Sequence, residues 1–186
     1  MPDRPEPQQR TQTILKCPVN TIVRFFDNLS ELTGRLTAWM VIAMVVLTLY
    51  DVTMRYVFRD GSVALQELEW HFFALVILFG AAYTLKCGEH VRVDLIYSSP
   101  YLPERYRQVV DILGNLVFLL PFAIMIVWTS IPFVHDAFIH RETSPDPGGL
   151  SHRWIIKASI PIGFLLLATQ AVADTIKRIA ALRRTA

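Results

Sequence analysis

Four long apolar stretches constrain what this chain can fold into. They cover residues 36–58, 68–86, 109–134 and 154–176. A lipid hydrocarbon core about 30 Å thick is crossed by about 20 apolar residues in a helix, a length that each stretch reaches or approaches. The share of hydrophobic residues is 53%, above the roughly 45–50% of soluble domains. We therefore predict an all-α integral membrane protein with four transmembrane helices.

The residues before the first stretch predict two further segments. Residues 1–18 are mostly polar and contain prolines, so we expect a disordered N-terminus there. Residues 19–32 place apolar side chains at helical spacing with charged residues between them. This pattern predicts an N-terminal amphipathic helix that lies on the inner membrane surface, extends the first span or caps the bundle. We treat residues 19–186 as one membrane domain.

The distribution of basic residues predicts the orientation. Thirteen of the 18 Lys and Arg residues fall on the side that holds both termini and the loop between the second and third spans. Because cytoplasmic segments carry the excess of Lys and Arg, both termini are predicted to be cytoplasmic. The net charge of +2 then reflects membrane topology, and nucleic acid is not an expected partner. Cys17 and Cys87 fall on this reducing side, where neither a disulfide nor a metal site is expected.

An acid and a base lie near the end of the first stretch. Asp51 and Arg55 are four residues apart, so they share a helical face and can neutralise each other. Counted from residue 36 at 1.5 Å per residue, both lie in the outer third of the span. The middle of each stretch lacks ionisable residues, whereas carriers typically place charges or broken helices there. The pattern argues against a chain that carries an ion or acid by itself.

Charged and aromatic residues cluster on the predicted outer side. Arg153 and Lys157, at the start of the fourth stretch, have the charge to pair with acidic residues of the first two stretches. Such residues are expected in a charged rim that fixes the helix ends, and equally in a surface that docks a partner. On the inner side, the segment GEHVRVDLIY places Arg92 and Asp94 at the membrane interface. The outer set is Asp51, Arg55, Glu67, Glu69, Trp70, His71, Arg153, Trp154 and Lys157.

Three stretches in a fixed order carry a family resemblance: DVTMRYVF, ELEWHFFALVILFGAAYTLKCGEHVRVDLIY and SPDPGGLSHRWIIKASIPIGF. From about residue 27 to the end of the fourth stretch, the chain resembles the small (Q-type, DctQ-like) membrane subunit of tripartite ATP-independent periplasmic (TRAP) transporters. The resemblance implies a scaffold subunit of the bacterial inner membrane that is not an enzyme and needs no cofactor. It also implies that the outer set and the pair Arg92 and Asp94 hold subunits, or the chain's own helices, together.

The same resemblance implies two protein partners besides the lipid bilayer. One is a large elevator-type membrane subunit that contains the substrate and sodium sites. The other is a periplasmic binding protein that delivers the substrate. The expected activity of the assembly is uptake of organic acids by secondary active transport, as a sodium symport.

Two alternatives from other classes remain open at this point. A haem-bearing membrane anchor of a redox enzyme needs two histidines at similar depth on facing helices, and His71 and His135 both lie near outer span ends. A small exporter that works as a dimer is the other alternative. The charge-free middle of the spans is unfavourable for the exporter.

Overall fold

The computed structural model describes residues 21–88 and 104–184, which form four long helices. They are α1 (Thr21–Thr53, continued by the π-helical turn Met54–Phe58), α2 (Val63–Cys87), α3 (Glu104–Leu113, the π-helical Gly114–Leu119 and Leu120–Ile139) and α4 (Trp154–Arg184). Each is long and apolar enough to cross a membrane. Within the described ranges there is no β-strand. The predicted all-α class with four spanning helices is confirmed.

The helices are longer than the apolar stretches of the sequence. The continuous helix Val23–Phe58 has 36 residues, or about 54 Å at 1.5 Å per residue. Because the hydrocarbon core is only about 30 Å thick, this helix is longer than a membrane span requires. The described part of the amphipathic segment therefore extends the first span. The predicted N-terminal disorder and the pair Arg92 and Asp94 lie outside the described residues.

The π-helical stretch in α3 precedes a proline. Pro121 occupies the first turn of Leu120–Ile139, directly after Gly114–Leu119. Proline lacks an N–H and its ring crowds the carbonyl of the residue four positions earlier. A π-helical stretch is one of the local adjustments that accommodate proline in a membrane helix. The third span consequently continues through Pro121 as one helix.

Helix α4 lies at the centre of the bundle. It packs against α3 and α2, while α1 packs mainly against α2 and more lightly against α4. In the apolar 18-residue segment of α4, 33% of the residues are buried, compared with 11% in the corresponding segment of each of the other three spans. Leu85 of α2 with Leu167 and Ala171 of α4 form the buried core cluster. The three outer helices therefore leave most of their apolar surface for lipid or for another protein.

The bundle has two ends, which we name by what they contain. The hairpin end holds the short α1–α2 turn and the α3–α4 loop, residues 140–153. The terminal end holds the first turns of α1 and α3 and the last turns of α2 and α4. Most of the long-range polar contacts of the described residues lie at these two ends, described below.

Candidate functional site

An ion pair fixes α1 near its turn into α2. Asp51 is only 3% exposed, and Arg55 donates a hydrogen bond to its carboxylate one helical turn later. The side-chain amide of Gln66, near the start of α2, lies beside the same guanidinium, and its oxygen accepts from Arg55 when the amide is turned to face it. A buried carboxylate is tolerated when a cation pairs with it. Arg55 thus neutralises Asp51 and joins α1 to α2 at the hairpin end.

Glu67 of α2 holds the α3–α4 loop. One of its carboxylate oxygens accepts from the hydroxyl of Ser144, and the other accepts from the N–H of Leu150 at 2.7 Å. The loop also closes on itself, because the Ser144 N–H donates to the Leu150 carbonyl at 3.0 Å. A Cβ added at Gly149 would lie 2.5 Å from the Ser144 side chain and 2.9 Å from a Glu67 oxygen. Only glycine therefore fits at position 149. The hydrogen bonds of Glu67 fix the loop to α2.

A second contact ties the same loop to α4. The Lys157 ammonium donates to the carboxylate of Glu142 and lies 3.9 Å from the centre of the Phe133 ring. The hydrogen bond from Lys157 lowers the pKa of Glu142 below its usual value, and the charges of Lys157 and Arg153 act in the same direction against partial desolvation. Lys157 therefore pairs with an ionised loop residue and not with the acids of α1 and α2.

The remaining residues of the outer set have separate surroundings. His71 donates through Nδ1 to the backbone carbonyl one turn earlier in α2. Trp70 is 75% exposed, and Trp154 packs edge-to-face on an aromatic ring of α3 at a centroid distance of 5.3 Å. One carboxylate oxygen of Glu69 is buried without a hydrogen-bond partner among the described residues. The outer set is thus a hairpin-end layer of several small clusters.

At the terminal end, polar residues of different helices contact one another, which the sequence did not predict. Gln170 of α4 is fully buried; it accepts from the Ser30 hydroxyl at 2.7 Å and donates to Asp27 at 3.2 Å. Lys177 donates to Asp27 at 2.5 Å, which joins α1 to α4. A further pair joins α1 to α2, with Glu31 accepting from a lysine of α2 at 2.6 Å.

A second terminal-end cluster joins α3 to α4. Arg178 donates to Asp174 at 2.6 Å and also to Asp111. Asn115 donates to Asp174 at 2.9 Å. The spacing of Asp174 and Arg178 was the only local signal in the sequence, since the other partners are 59 and 67 residues away. Both ends of the bundle are therefore fastened by interhelical polar contacts.

The histidines required by the haem alternative are not brought face to face. His71 lies on α2, which packs against α1 and α4, whereas His135 lies on α3, which packs chiefly against α4. The His135 side chain is 67% exposed. Across residues 21–88 and 104–184, no group of three or more His, Cys, Asp or Glu side chains is placed to hold a metal ion. The geometry therefore gives this alternative no support.

We expect Glu67→Ala to release the α3–α4 loop from α2, because both carboxylate contacts to the loop are lost. Trypsin added at the hairpin end of the reconstituted protein should then cut after Arg141 or Arg153 several-fold faster. Glu69→Ala is the matched control, since it removes the same charge from the same helix without a described hydrogen bond to the loop. Equal cleavage rates in the two variants would show that Glu67 does not hold the loop.

Fold and contacts together define a polytopic membrane protein whose four spans are joined by polar layers at both ends. The sequence profile of the family described as "Tripartite ATP-independent periplasmic transporters, DctQ component" matches residues 44–181. This match covers well over half of the chain. The chain therefore belongs to the DctQ component family of TRAP transporters, whose members are transporter subunits and not enzymes.

Two relatives agree with this assignment. A TRAP transporter small permease protein of Haemophilus influenzae is 30% identical over 99 residues, which are 53% of this chain and 57% of that protein. The C4-dicarboxylate TRAP transporter small permease protein DctQ of Vibrio cholerae is 28% identical over 164 residues, 77% of this chain and 68% of that protein. The matched region thus spans little more than half of the first relative's length.

Proposed function

We propose that this chain is the non-catalytic scaffold subunit of a TRAP transporter and pairs with a large elevator-type membrane subunit that carries the substrate and sodium sites. One observation carries the proposal. Residues 36–50, 72–85, 112–134 and 158–173 contain no Asp, Glu, Lys, Arg or His. Ion and acid pathways typically place such residues inside the membrane. The chemistry of transport therefore falls to a partner.

The outward surface of the bundle supports pairing within the membrane. Only 11% of the apolar 18-residue segment is buried in each of three spans, and large side chains such as Trp39 and Trp128 are 71% and 77% exposed. Polar contacts at both ends fasten these helices into one body. A rigid bundle with wide apolar faces is suited to a static platform beside a moving transport domain.

For the orientation, we propose that both termini are cytoplasmic and the hairpin end is periplasmic. The support is the charge distribution, with thirteen of the 18 Lys and Arg residues on the terminal side, because cytoplasmic segments carry the excess of these residues. In this orientation the chain is a multi-pass protein of the bacterial inner membrane, and a periplasmic binding protein meets the hairpin end. The name of the Vibrio cholerae relative supports organic acids as the substrate class.

Reconstitution in liposomes tests the proposal. The large subunit, this chain and the loaded binding protein together should take up organic acid when a sodium gradient is applied. Omission of this chain should abolish most of that uptake, and this chain alone should give none. Uptake by this chain alone would contradict the scaffold role, as would full uptake by the large subunit without it.

Charge reversal at the α4 rim should impair uptake without preventing membrane insertion. Lys157→Glu places an acid next to Glu142, so repulsion replaces the pair that ties the loop to α4; Arg153→Glu removes a second cation nearby. We expect uptake several-fold lower at normal membrane levels of the protein. The double exchange Lys157→Glu with Glu142→Lys restores opposite charges and should recover most of the uptake. Normal uptake by both single variants would refute this role of the rim.

A further inference from the structure

Three residues other than glycine have left-handed backbone conformations in the described ranges, and all lie at the hairpin end. Their φ angles are 55° for Arg59, 45° for Arg141 and 65° for His152. For a side chain with a Cβ this conformation costs about 1–2 kcal/mol, which glycine would avoid. Strained positions of this kind cluster at functional sites. We therefore expect the side chains at these positions to have a function that glycine could not provide.

Of these three residues, Arg141 has the surroundings that indicate most clearly what its side chain could bind. It is the second residue of the α3–α4 loop and is exposed. Its backbone is fixed by an N–H bond to the Phe138 carbonyl at 3.3 Å. Among the described residues no ion pair includes Arg141, while its neighbour Glu142 is already paired with Lys157. Arg141 is thus exposed on a fixed backbone, and none of the described acidic side chains pairs with its guanidinium.

Several hydrogen bonds fasten the loop that carries Arg141. Glu67 anchors it to α2 through Ser144 and Leu150. The Arg153 N–H donates to the Glu142 carbonyl at 3.1 Å and closes its base. A loop fixed before binding loses little conformational freedom when a partner docks.

We propose that the α3–α4 loop is a preformed docking element for the periplasmic binding protein, in which Arg141 pairs with an acidic side chain of that protein and Glu67 is a positioning residue. The inference rests on the proposed function and orientation of the chain. An unpaired cation on a fixed loop is complementary to an anionic surface, and such exposed pairs act chiefly on the rate of encounter. The contact is therefore expected to weaken as salt is added.

The test is uptake by the complete reconstituted transporter as a function of the concentration of loaded binding protein. Arg141→Gly relieves the backbone strain, so the thermal stability of the complex should be unchanged or higher. We expect KM for the loaded binding protein to rise about tenfold at low salt, as for loss of one interfacial charge pair, with an unchanged maximal rate. The rise should shrink at high salt, and Arg141→Lys should restore most of the wild-type KM. Arg35→Gln, which removes an exposed cation at the terminal end, is the matched control.

Three results would overturn the inference. KM could be unchanged in Arg141→Gly, or it could rise equally in Arg35→Gln. The rise could also occur in vesicles with anionic phospholipid but not in phosphatidylcholine vesicles, which would make a lipid headgroup the partner of Arg141. Co-purification of the wild-type chain with the large subunit is measured in parallel. Its failure would refute the proposed function itself, whereas an intact complex with unchanged KM would refute only the docking inference.

Discussion

Replacement of Arg178 by Met is expected to lower the free energy of unfolding by about 3 kcal/mol, the range for breaking a buried ion pair. Arg178 lies between Asp111 of α3 and Asp174 of α4, and the three side chains are only 20%, 12% and 14% exposed. Loss of the cation leaves two carboxylates close together in a poorly solvated place. Thermal or denaturant unfolding in detergent micelles measures the effect.

Two further variants separate this mechanism from a general loss of charge. Arg183→Met removes an exposed cation from the same helix and should change stability little. Adding Asp111→Asn and Asp174→Asn to Arg178→Met removes the repulsion and should recover most of the loss. Equal destabilisation by Arg178→Met and Arg183→Met would contradict the role assigned to this cluster.

The substitution Gly163→Ala should force α2 and α4 apart and destabilise the bundle by about 2 kcal/mol, as overpacking of a tight core does. A Cβ at position 163 would lie 2.9 Å from the Cβ of Leu78 and 3.2 Å from its carbonyl oxygen. Backbone atoms cannot move aside as a flexible side chain can, so the helices themselves must shift. The same unfolding assay and the yield of folded protein report the loss.

A glycine in open space provides the matched control for this substitution. A Cβ at Gly114 of α3 would meet no atom within 4 Å, and alanine is the better helix former by up to about 1 kcal/mol. Gly114→Ala should therefore leave stability unchanged or slightly higher. If Gly163→Ala were as stable as Gly114→Ala, the close packing of α2 on α4 would not contribute as described.

The fold class follows from the sequence because hydropathy reports directly which segments prefer lipid. The helix ends do not follow, because helices continue beyond the hydrocarbon wherever tertiary contacts hold them. The start of α1 illustrates this, since Asp27 is bound by Gln170 and Lys177 of α4, 143 and 150 residues away. Hydropathy marks such charged turns as loop or surface helix. Only the folded bundle reveals their partners.

The sequence predicts those contacts of the candidate site that join residues close together in the chain. Asp51 and Arg55 form the expected pair because four-residue spacing alone places them together on a helix. Glu67 was singled out, but its partners Ser144 and Leu150 are 77 and 83 residues away, so its hold on the loop could not be foreseen. From charge alone, several acidic residues could have paired with Lys157. In the folded loop its partner is Glu142.

The most direct test of the scaffold role is affinity purification of this chain from its native membrane. The chain is tagged at its C-terminus and extracted in mild detergent, and the eluate is examined by mass spectrometry and absorption spectroscopy. We predict recovery of one much larger polytopic membrane protein in near-equal amount, without a haem Soret band. Recovery of the chain by itself, or with soluble redox subunits and a Soret band, would contradict its role as the small subunit of a TRAP transporter.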